Sequence, residues 1–186
     1  MGSTQVRIAG FGGQGVVLAG VLLGRAALED GLHAIQNQSY GAEARGGAAR
    51  SEVIVSTEPI VYPEVTQPDI LAALSQAGAD RYLPDLQPHG TLIVDAELVA
   101  TLPELPGCRV LRAPFARVAG EELGRQIVAN IVMLGYLVGA TGLVGPDSTR
   151  RAVAQGVPRG TEELNLKALN RGLDLATEHS KEEHSR

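Results

Sequence analysis

The fold is indicated by one stretch near the start of the chain, Gln5-Val6-Arg7-Ile8-Ala9-Gly10-Phe11-Gly12-Gly13-Gln14-Gly15. Its first five residues predict a β-strand. From residue 15 to residue 30 apolar side chains recur at helical spacing, and Gly31 marks a plausible helix end. A strand joined to a helix through a glycine-rich turn is the opening unit of an α/β domain.

The turn itself matches the pattern G-x-G-x-x-G through Gly10, Gly12, Gly13, Gln14 and Gly15. Glycines here permit a tight turn and let backbone N–H groups approach an anion at the positive end of a helix. Ordinary NAD binding also needs an acidic residue about 20 positions later, where this chain has residues 35–38, Ile-Gln-Asn-Gln. Three interpretations therefore stay open: close packing alone, binding of another phosphate-bearing group or of a partner's cofactor site, and ordinary dinucleotide binding.

The rest of the chain alternates predicted strands and helices. Strands are predicted over residues 32–36, 51–55, 69–74, 91–95 and 109–112, and helices over residues 76–83, 119–123, 126–141, 148–156 and 162–177. This order predicts a single Rossmann-like α/β domain, with an open, mostly parallel sheet, helices on both faces and a helical C-terminal third. We expect the domain to span residues 1–178 and residues 179–186 to form a flexible polar tail.

Composition excludes several classes of function. The net charge of −5 and the 3% of aromatic residues argue against nucleic acid as a partner. The single cysteine, Cys108, excludes an internal disulfide and falls far short of the ligands of an iron–sulfur cluster. The four histidines lack metal-site spacing, and no stretch resembles a secretion signal or a membrane span. We expect a cytoplasmic protein that binds no metal, membrane or nucleic acid.

A second glycine-containing loop follows the second predicted strand. It runs from residue 38 to residue 47 and carries Ser39, Tyr40, Glu43, Arg45, Gly46 and Gly47. Arg45 has the geometry to bind a carboxylate or phosphate through paired hydrogen bonds, and the two glycines leave room for a ligand or another chain. The plainer alternative is that Glu43 and Arg45 neutralise each other at the surface.

Four segments together resemble the gamma subunit of 2-oxoacid:ferredoxin oxidoreductases, the pyruvate/2-oxoglutarate ferredoxin oxidoreductase family. They are residues 8–16, residues 38–47, residues 128–135 (Val-Ala-Asn-Ile-Val-Met-Leu-Gly) and residues 157–165 (Val-Pro-Arg-Gly-Thr-Glu-Glu-Leu-Asn). Their order and joint presence are more specific than any one of them. Ala42 departs from the proline common in that family's second loop.

The resemblance implies a subunit of an enzyme that oxidatively decarboxylates a 2-oxoacid, passes electrons to ferredoxin and forms an acyl-coenzyme A. It implies that thiamine diphosphate, magnesium and iron–sulfur clusters belong to partner subunits (alpha, beta and a ferredoxin-like delta), with coenzyme A as a possible contact of this chain. The motifs favour the 2-oxoglutarate class over the pyruvate, branched-chain and indolepyruvate classes. We expect the isolated chain to be inactive and able to form a homodimer. A stand-alone nucleotide-binding Rossmann-like module remains the alternative.

No catalytic residue is assigned from the sequence. Both loops follow strands, so both are expected at the carboxyl edge of the sheet, where open α/β folds bind ligands. We therefore predict that two sets of residues converge on one surface facing the catalytic subunits. The first is Gly10, Gly12, Gly13, Gln14 and Gly15, and the second is Ser39, Tyr40, Glu43, Arg45, Gly46 and Gly47.

Overall fold

The computed structural model describes residues 2–39 and 48–184. The strands are β1 Thr4–Phe11, β2 His33–Ser39, β3 Ala48–Ser56, β4 Ile70–Ala73, β5 Thr91–Asp95 and β6 Arg109–Ala113. The helices are α1 Val16–Glu29, α2 Gln76–Tyr82, α3 Phe115–Arg117, α4 Ala129–Thr141, α5 Pro146–Gly156 and α6 Glu162–His184. Short 3-10 turns occupy Leu83–Asp85 and Gln126–Val128, and a π-helical turn occupies Val118–Glu122.

The strands form one open sheet in the order β2-β3-β1-β4-β5-β6. Pairing is parallel from β1 through β6, whereas β3 runs antiparallel to both β1 and β2. The predicted α/β class with a mostly parallel sheet is confirmed. The position of β3 was not foreseen, yet only residues 40–47 separate it from β2. A parallel crossover needs about a dozen residues or more, so a connection this short requires antiparallel pairing.

Helices cover both faces of the sheet, as predicted. On one face α1 packs so closely on β3 that a Cβ atom at Gly20 would lie 2.0 Å from Ser51 Oγ. On the other face α2 approaches β1, where a Cβ atom at Gly78 would lie 3.2 Å from the carbonyl carbon of Ala9. Successive side chains of β1 therefore point to opposite faces of the sheet. Val6 and Ile8 belong to the larger core beside α1, and Ala9 belongs to the smaller core beside α2.

The C-terminal part is helical and packs on the α1 face. Helix α4 is buried over nearly its whole length, as its continuous apolar sequence predicts, and it crosses α6 at two glycines. The N-terminus of α5 is capped by a side chain from another element, since Asp30 Oδ2 accepts a hydrogen bond from Gly145 N at 2.5 Å and Oδ1 accepts one from Ser148 Oγ. Both carboxylate oxygens of Asp30 are therefore occupied, and the residue links the end of α1 to the start of α5.

Most predicted helices are shifted by one or two residues at an end, and two segments differ from their predicted bounds by more. The helix predicted over residues 126–141 begins with a 3-10 turn. Helix α6 continues through His184, so residues 179–184 extend it instead of forming the expected tail. A tertiary contact contributes to this extension of α6, because Tyr136 in α4 is 1% exposed and its hydroxyl pairs with His179 Nδ1 at 2.6 Å.

Candidate functional site

The glycine loop between β1 and α1 is closed by its own glutamine. Gln14 N donates to Phe11 O at 3.1 Å, and Gln14 Oε1 accepts from Phe11 N at 2.6 Å. The other end of the same amide, Nε2, donates to Leu74 O at 3.0 Å, just beyond β4. Both ends of the Gln14 side chain are therefore occupied, and its place in the predicted site is to brace the loop against the next strand.

The glycines of this loop have different structural causes. Gly10 is required by packing, because a Cβ atom there would lie 2.6 Å from Gln14 Oε1. Gly13 and Gly15 adopt left-handed backbone angles with φ of 94° and 72°. Neither tight packing nor a left-handed backbone requires glycine at position 12, since the φ of Gly12 is ordinary and a Cβ atom there would meet nothing within 4 Å. Packing therefore explains why residue 10 is glycine, but within the described residues it does not explain why residue 12 is glycine.

The loop is tied to α4 by Asn130, which is 3% exposed. Its Nδ2 donates to Gly15 O at 2.9 Å, because a buried amide requires a hydrogen-bond partner. Its Oδ1 accepts no hydrogen bond within residues 2–39 and 48–184. Asn165 at the start of α6 repeats this arrangement, with Nδ2 donating to Thr161 O at 2.9 Å and Oδ1 left open in the same ranges. Each amide therefore has an acceptor oxygen without a hydrogen bond to any residue that the structure describes.

These two asparagines line a pocket of about 460 Å³ beside the glycine loop. Three of the four segments that carried the family resemblance meet in it. Its polar and apolar lining includes Gly15, Arg125, Ile127, Asn130, Thr161 and Asn165. Arg125 is exposed, and its guanidinium forms no ion pair with the part of the chain that the structure describes. The lining of the pocket therefore combines apolar side chains with two asparagines and one arginine.

A second pocket, of about 370 Å³, lies on the other side of Ile127. It is lined by Gly13, Gln14, Leu74, Leu98 and Ile127, among others. Exposed apolar side chains surround the loop, with Phe11 44%, Leu98 40% and Ile127 63% exposed. An apolar rim of this kind is typical of a surface that another molecule covers.

Part of this rim is held in place by Asp95, a fully buried carboxylate at the end of β5. Its Oδ1 accepts from Leu98 N at 2.9 Å, and its Oδ2 accepts from Ala116 N at 2.8 Å. Leu98 and Ala116 both line the second pocket. Sequence reasoning missed Asp95, Arg125 and Ile127, because the pattern that would reveal them is spread over separate elements.

The structure describes only the residues that flank the loop carrying the second predicted set. Tyr40, Glu43, Arg45, Gly46 and Gly47 lie outside the described residues, and Ser39 is described only as the last residue of β2. The first residue of β3, Ala48, pairs with Phe11 at the end of β1. The loop therefore re-enters the sheet at the edge that carries the glycine loop, while the convergence of both sets on one surface stays a prediction.

Within residues 2–39 and 48–184, no three histidine, cysteine, aspartate or glutamate side chains gather as metal ligands would. Among the same residues, no helix has the length and apolar character needed to cross a bilayer.

The fold and this glycine-rich edge define a Rossmann-like α/β domain with two pockets beside its first turn. The family model for pyruvate ferredoxin/flavodoxin oxidoreductase matches residues 5–175. The chain is 50% identical over 177 residues to the 2-oxoglutarate synthase subunit KorC of Methanocaldococcus jannaschii, covering 94% of each protein. It is also 50% identical over 183 residues to KorC of Methanothermobacter marburgensis, covering 95% of this chain and 98% of that one.

Solved structures agree with these relatives. The gamma subunit of a keto/oxoacid ferredoxin oxidoreductase from Geobacter sulfurreducens has a TM-score of 0.84 and 43% identity, over 94% of this chain and 98% of that one. A 2-oxoglutarate:ferredoxin oxidoreductase from Magnetococcus marinus, with 2-oxoglutarate, coenzyme A and succinyl-CoA bound, also reaches 0.84, at 22% identity over 95% of this chain and 31% of that one. At 22% identity, the Magnetococcus marinus enzyme shows only that the fold is shared.

The chain belongs to the pyruvate ferredoxin/flavodoxin oxidoreductase family. The predicted resemblance to the gamma subunit is confirmed, and with it the expectation that the chain is a subunit of an oxidoreductase.

Proposed function

We propose that this chain is the gamma-type subunit of a 2-oxoglutarate:ferredoxin oxidoreductase, which converts 2-oxoglutarate and coenzyme A to an acyl-coenzyme A while reducing ferredoxin. The observation that carries the proposal is 50% identity to two 2-oxoglutarate synthase subunits along nearly the whole chain. Alpha and beta subunits and a ferredoxin-like delta subunit would be its partners. Isolated, the chain would be inactive.

The redox cofactors would reside on those partners. An iron–sulfur cluster needs about four cysteine ligands, and this chain has one cysteine. The contribution of this subunit would instead be a binding surface beside the catalytic centre.

Coenzyme A would be the ligand of the pocket beside Gly15. Its phosphates suit the exposed guanidinium of Arg125, and the N–H groups of its amide chain suit the open oxygens of Asn130 and Asn165. The unexplained openness at Gly12 would leave room for the same ligand or for a neighbouring subunit. Arg45 would complete the surface from the second loop.

The substrate is tested by purifying the chain with the subunits that accompany it in its native host and measuring ferredoxin reduction. We expect coenzyme A-dependent turnover of 2-oxoglutarate to exceed that of pyruvate and of branched-chain 2-oxoacids. Faster turnover of another 2-oxoacid would overturn the substrate, and failure to copurify with any thiamine- or cluster-bearing subunit would overturn the assembly.

The pocket is tested with Arg125→Ala and Arg45→Ala in the assembled enzyme. Loss of one charge-assisted contact to a phosphate should raise the KM for coenzyme A by about 10- to 100-fold with little change in kcat, since such a contact is worth about 1.5 to 3 kcal/mol. Arg81→Ala is the matched control, because Arg81 is exposed on α2, on the opposite face of the sheet from α1, and lines neither pocket. Wild-type KM values in the two test variants would remove those arginines from the site.

The alternative, a stand-alone dinucleotide-binding module, is disfavoured by the sheet. In the usual dinucleotide fold the strand that presents the ribose-binding acid is adjacent to β1, whereas here β3 separates β2 from β1. Asp30, the acidic residue nearest in sequence, caps α5. Tight binding of NAD or NADP by the isolated chain would revive this alternative.

A further inference from the structure

The segment between β3 and β4 carries the most exposed apolar side chains of the described residues. We call residues 59–63, Pro-Ile-Val-Tyr-Pro, the apolar tip. Val61 is 79% exposed and Tyr62 is 83% exposed, more than Ile127 at 63%. Large exposed tyrosine and aliphatic side chains at one point are typical of residues that anchor a protein interface.

The tip is exposed but firmly supported. Asn37 Nδ2 donates to Pro63 O, and buried Arg7 donates from Nη2 to Val65 O at 2.9 Å. Proline at both ends fixes two further backbone angles. A surface that is already ordered loses little conformational entropy on binding, which favours a role in recognition.

The charges beside the tip indicate what covers it. Glu58 and Glu64 flank it, both are exposed, and neither forms an ion pair with a described residue. A partner with an apolar pocket and a basic rim would match this arrangement. A second copy of the chain, docked tip to tip, would instead bring like charges together, which costs affinity.

We propose that the apolar tip docks into an apolar, basic-rimmed pocket on another subunit of the oxidoreductase. The inference rests on the assembly proposed above, but it concerns a different surface. A pocket of about 470 Å³ at the tip is lined by Ser3, just before β1, and by Gln5 near its start, whereas the glycine loop follows Phe11 at its end. Strand rise of about 3.3 Å per residue puts the two ends of β1 roughly 20 Å apart.

The test is the double variant Val61→Ser, Tyr62→Ser, co-expressed with the other subunits. We expect its association with them to weaken about tenfold or more, as for loss of interface anchors, while its thermal unfolding stays like that of the wild type. Leu28→Ser is the matched control, since Leu28 is 59% exposed and lies on α1, which covers the opposite face of the sheet from α2 and from the Arg7 side chain that supports the tip. It should assemble normally.

A second variant, Glu58→Gln with Glu64→Gln, keeps the apolar side chains and tests the charge. Association should weaken and lose much of its dependence on salt concentration, because a basic rim would no longer face two carboxylates. Wild-type association of both double variants, or an effect confined to self-association of this chain, would overturn the inference. A wild-type chain that assembles with no other subunit would instead overturn the proposed function.

Discussion

At the scale of single residues, two glycines of one loop do different things. Gly15 adopts a left-handed φ of 72°, and a Cβ atom there would lie 2.3 Å from Asn130 Nδ2. Gly12 adopts an ordinary φ and faces open space. The pattern G-x-G-x-x-G therefore contains glycines that the fold requires, Gly15 among them, and one glycine, Gly12, that it does not require.

This contrast gives a matched pair of substitutions. Gly15→Ala should lower the free energy of unfolding by about 2 kcal/mol or more, because a left-handed alanine costs about 1 to 2 kcal/mol before the contact with Asn130 is counted. Gly12→Ala should change it by less than about 0.5 kcal/mol. Urea unfolding of the isolated chain measures both.

The same Gly12→Ala variant should be impaired only in the assembled enzyme, through a raised KM for coenzyme A or through weaker assembly. Equal stability losses in the two variants would contradict the distinction between them. Wild-type behaviour of Gly12→Ala in the assembled enzyme would show that the open space at Gly12 holds nothing.

At the scale of elements, α4 and α6 cross with their backbones nearly in contact. A Cβ atom at Gly172 would lie 2.0 Å from Val132 O, and one at Gly135 would lie 2.1 Å from Leu169 O. This crossing fixes the position of α4, whose first turn carries Asn130 toward the glycine loop. Small residues at a helix crossing thus determine the geometry of a pocket on a different element.

Gly172→Ala should therefore lower the free energy of unfolding by about 3 kcal/mol, at the upper end of overpacking, because backbone atoms cannot move aside as a side chain can. Gly120→Ala is the control, since its Cβ atom would meet nothing within 4 Å and its φ is ordinary. Calorimetric unfolding of the two variants measures the difference, and equal unfolding temperatures would contradict the close crossing.

At the scale of the whole molecule, one buried arginine joins four parts of the chain. Arg7 in β1 is 2% exposed, and its Nε donates to Glu52 Oε1 in β3 at 2.8 Å. The same guanidinium pairs with Asp85 beyond α2, supports the segment below the apolar tip through Val65 O, and lies 5.2 Å from the centre of the Tyr82 ring. It connects the sheet, α2 and the tip.

Arg7→Ala should lower the free energy of unfolding by about 3 kcal/mol or more, because it removes the close cation of the buried carboxylate of Glu52 and leaves only Arg50, whose Nε lies 3.7 Å from the same oxygen. The control is Arg81→Ala, which removes a guanidinium from the same Tyr82 ring at an exposed position and should cost about 1 kcal/mol or less. Urea unfolding separates the two, and similar losses would contradict the role of Arg7.

The sequence also contains information about the direction of β3 that the pattern of predicted strands does not show. Residues 40–47 are too few for a parallel crossover, so the antiparallel direction of β3 was implicit in the spacing of β2 and β3. Its insertion beside β1 was not, because alternating apolar residues specify which face of a strand is buried and not which strand it pairs with. That insertion is also what separates this sheet from the usual dinucleotide fold.

The sequence by itself determined the α/β class, the glycine turn after β1 and the family, since local periodicity and four ordered motifs suffice for these. Only the tertiary structure decided that Gln14 braces the loop, that Asn130 and Asn165 share a pocket with Arg125, and that Val61 and Tyr62 stand exposed on a fixed tip. The physical reason is that hydrogen bonds and burial between distant segments depend on how whole elements pack, which no local pattern encodes.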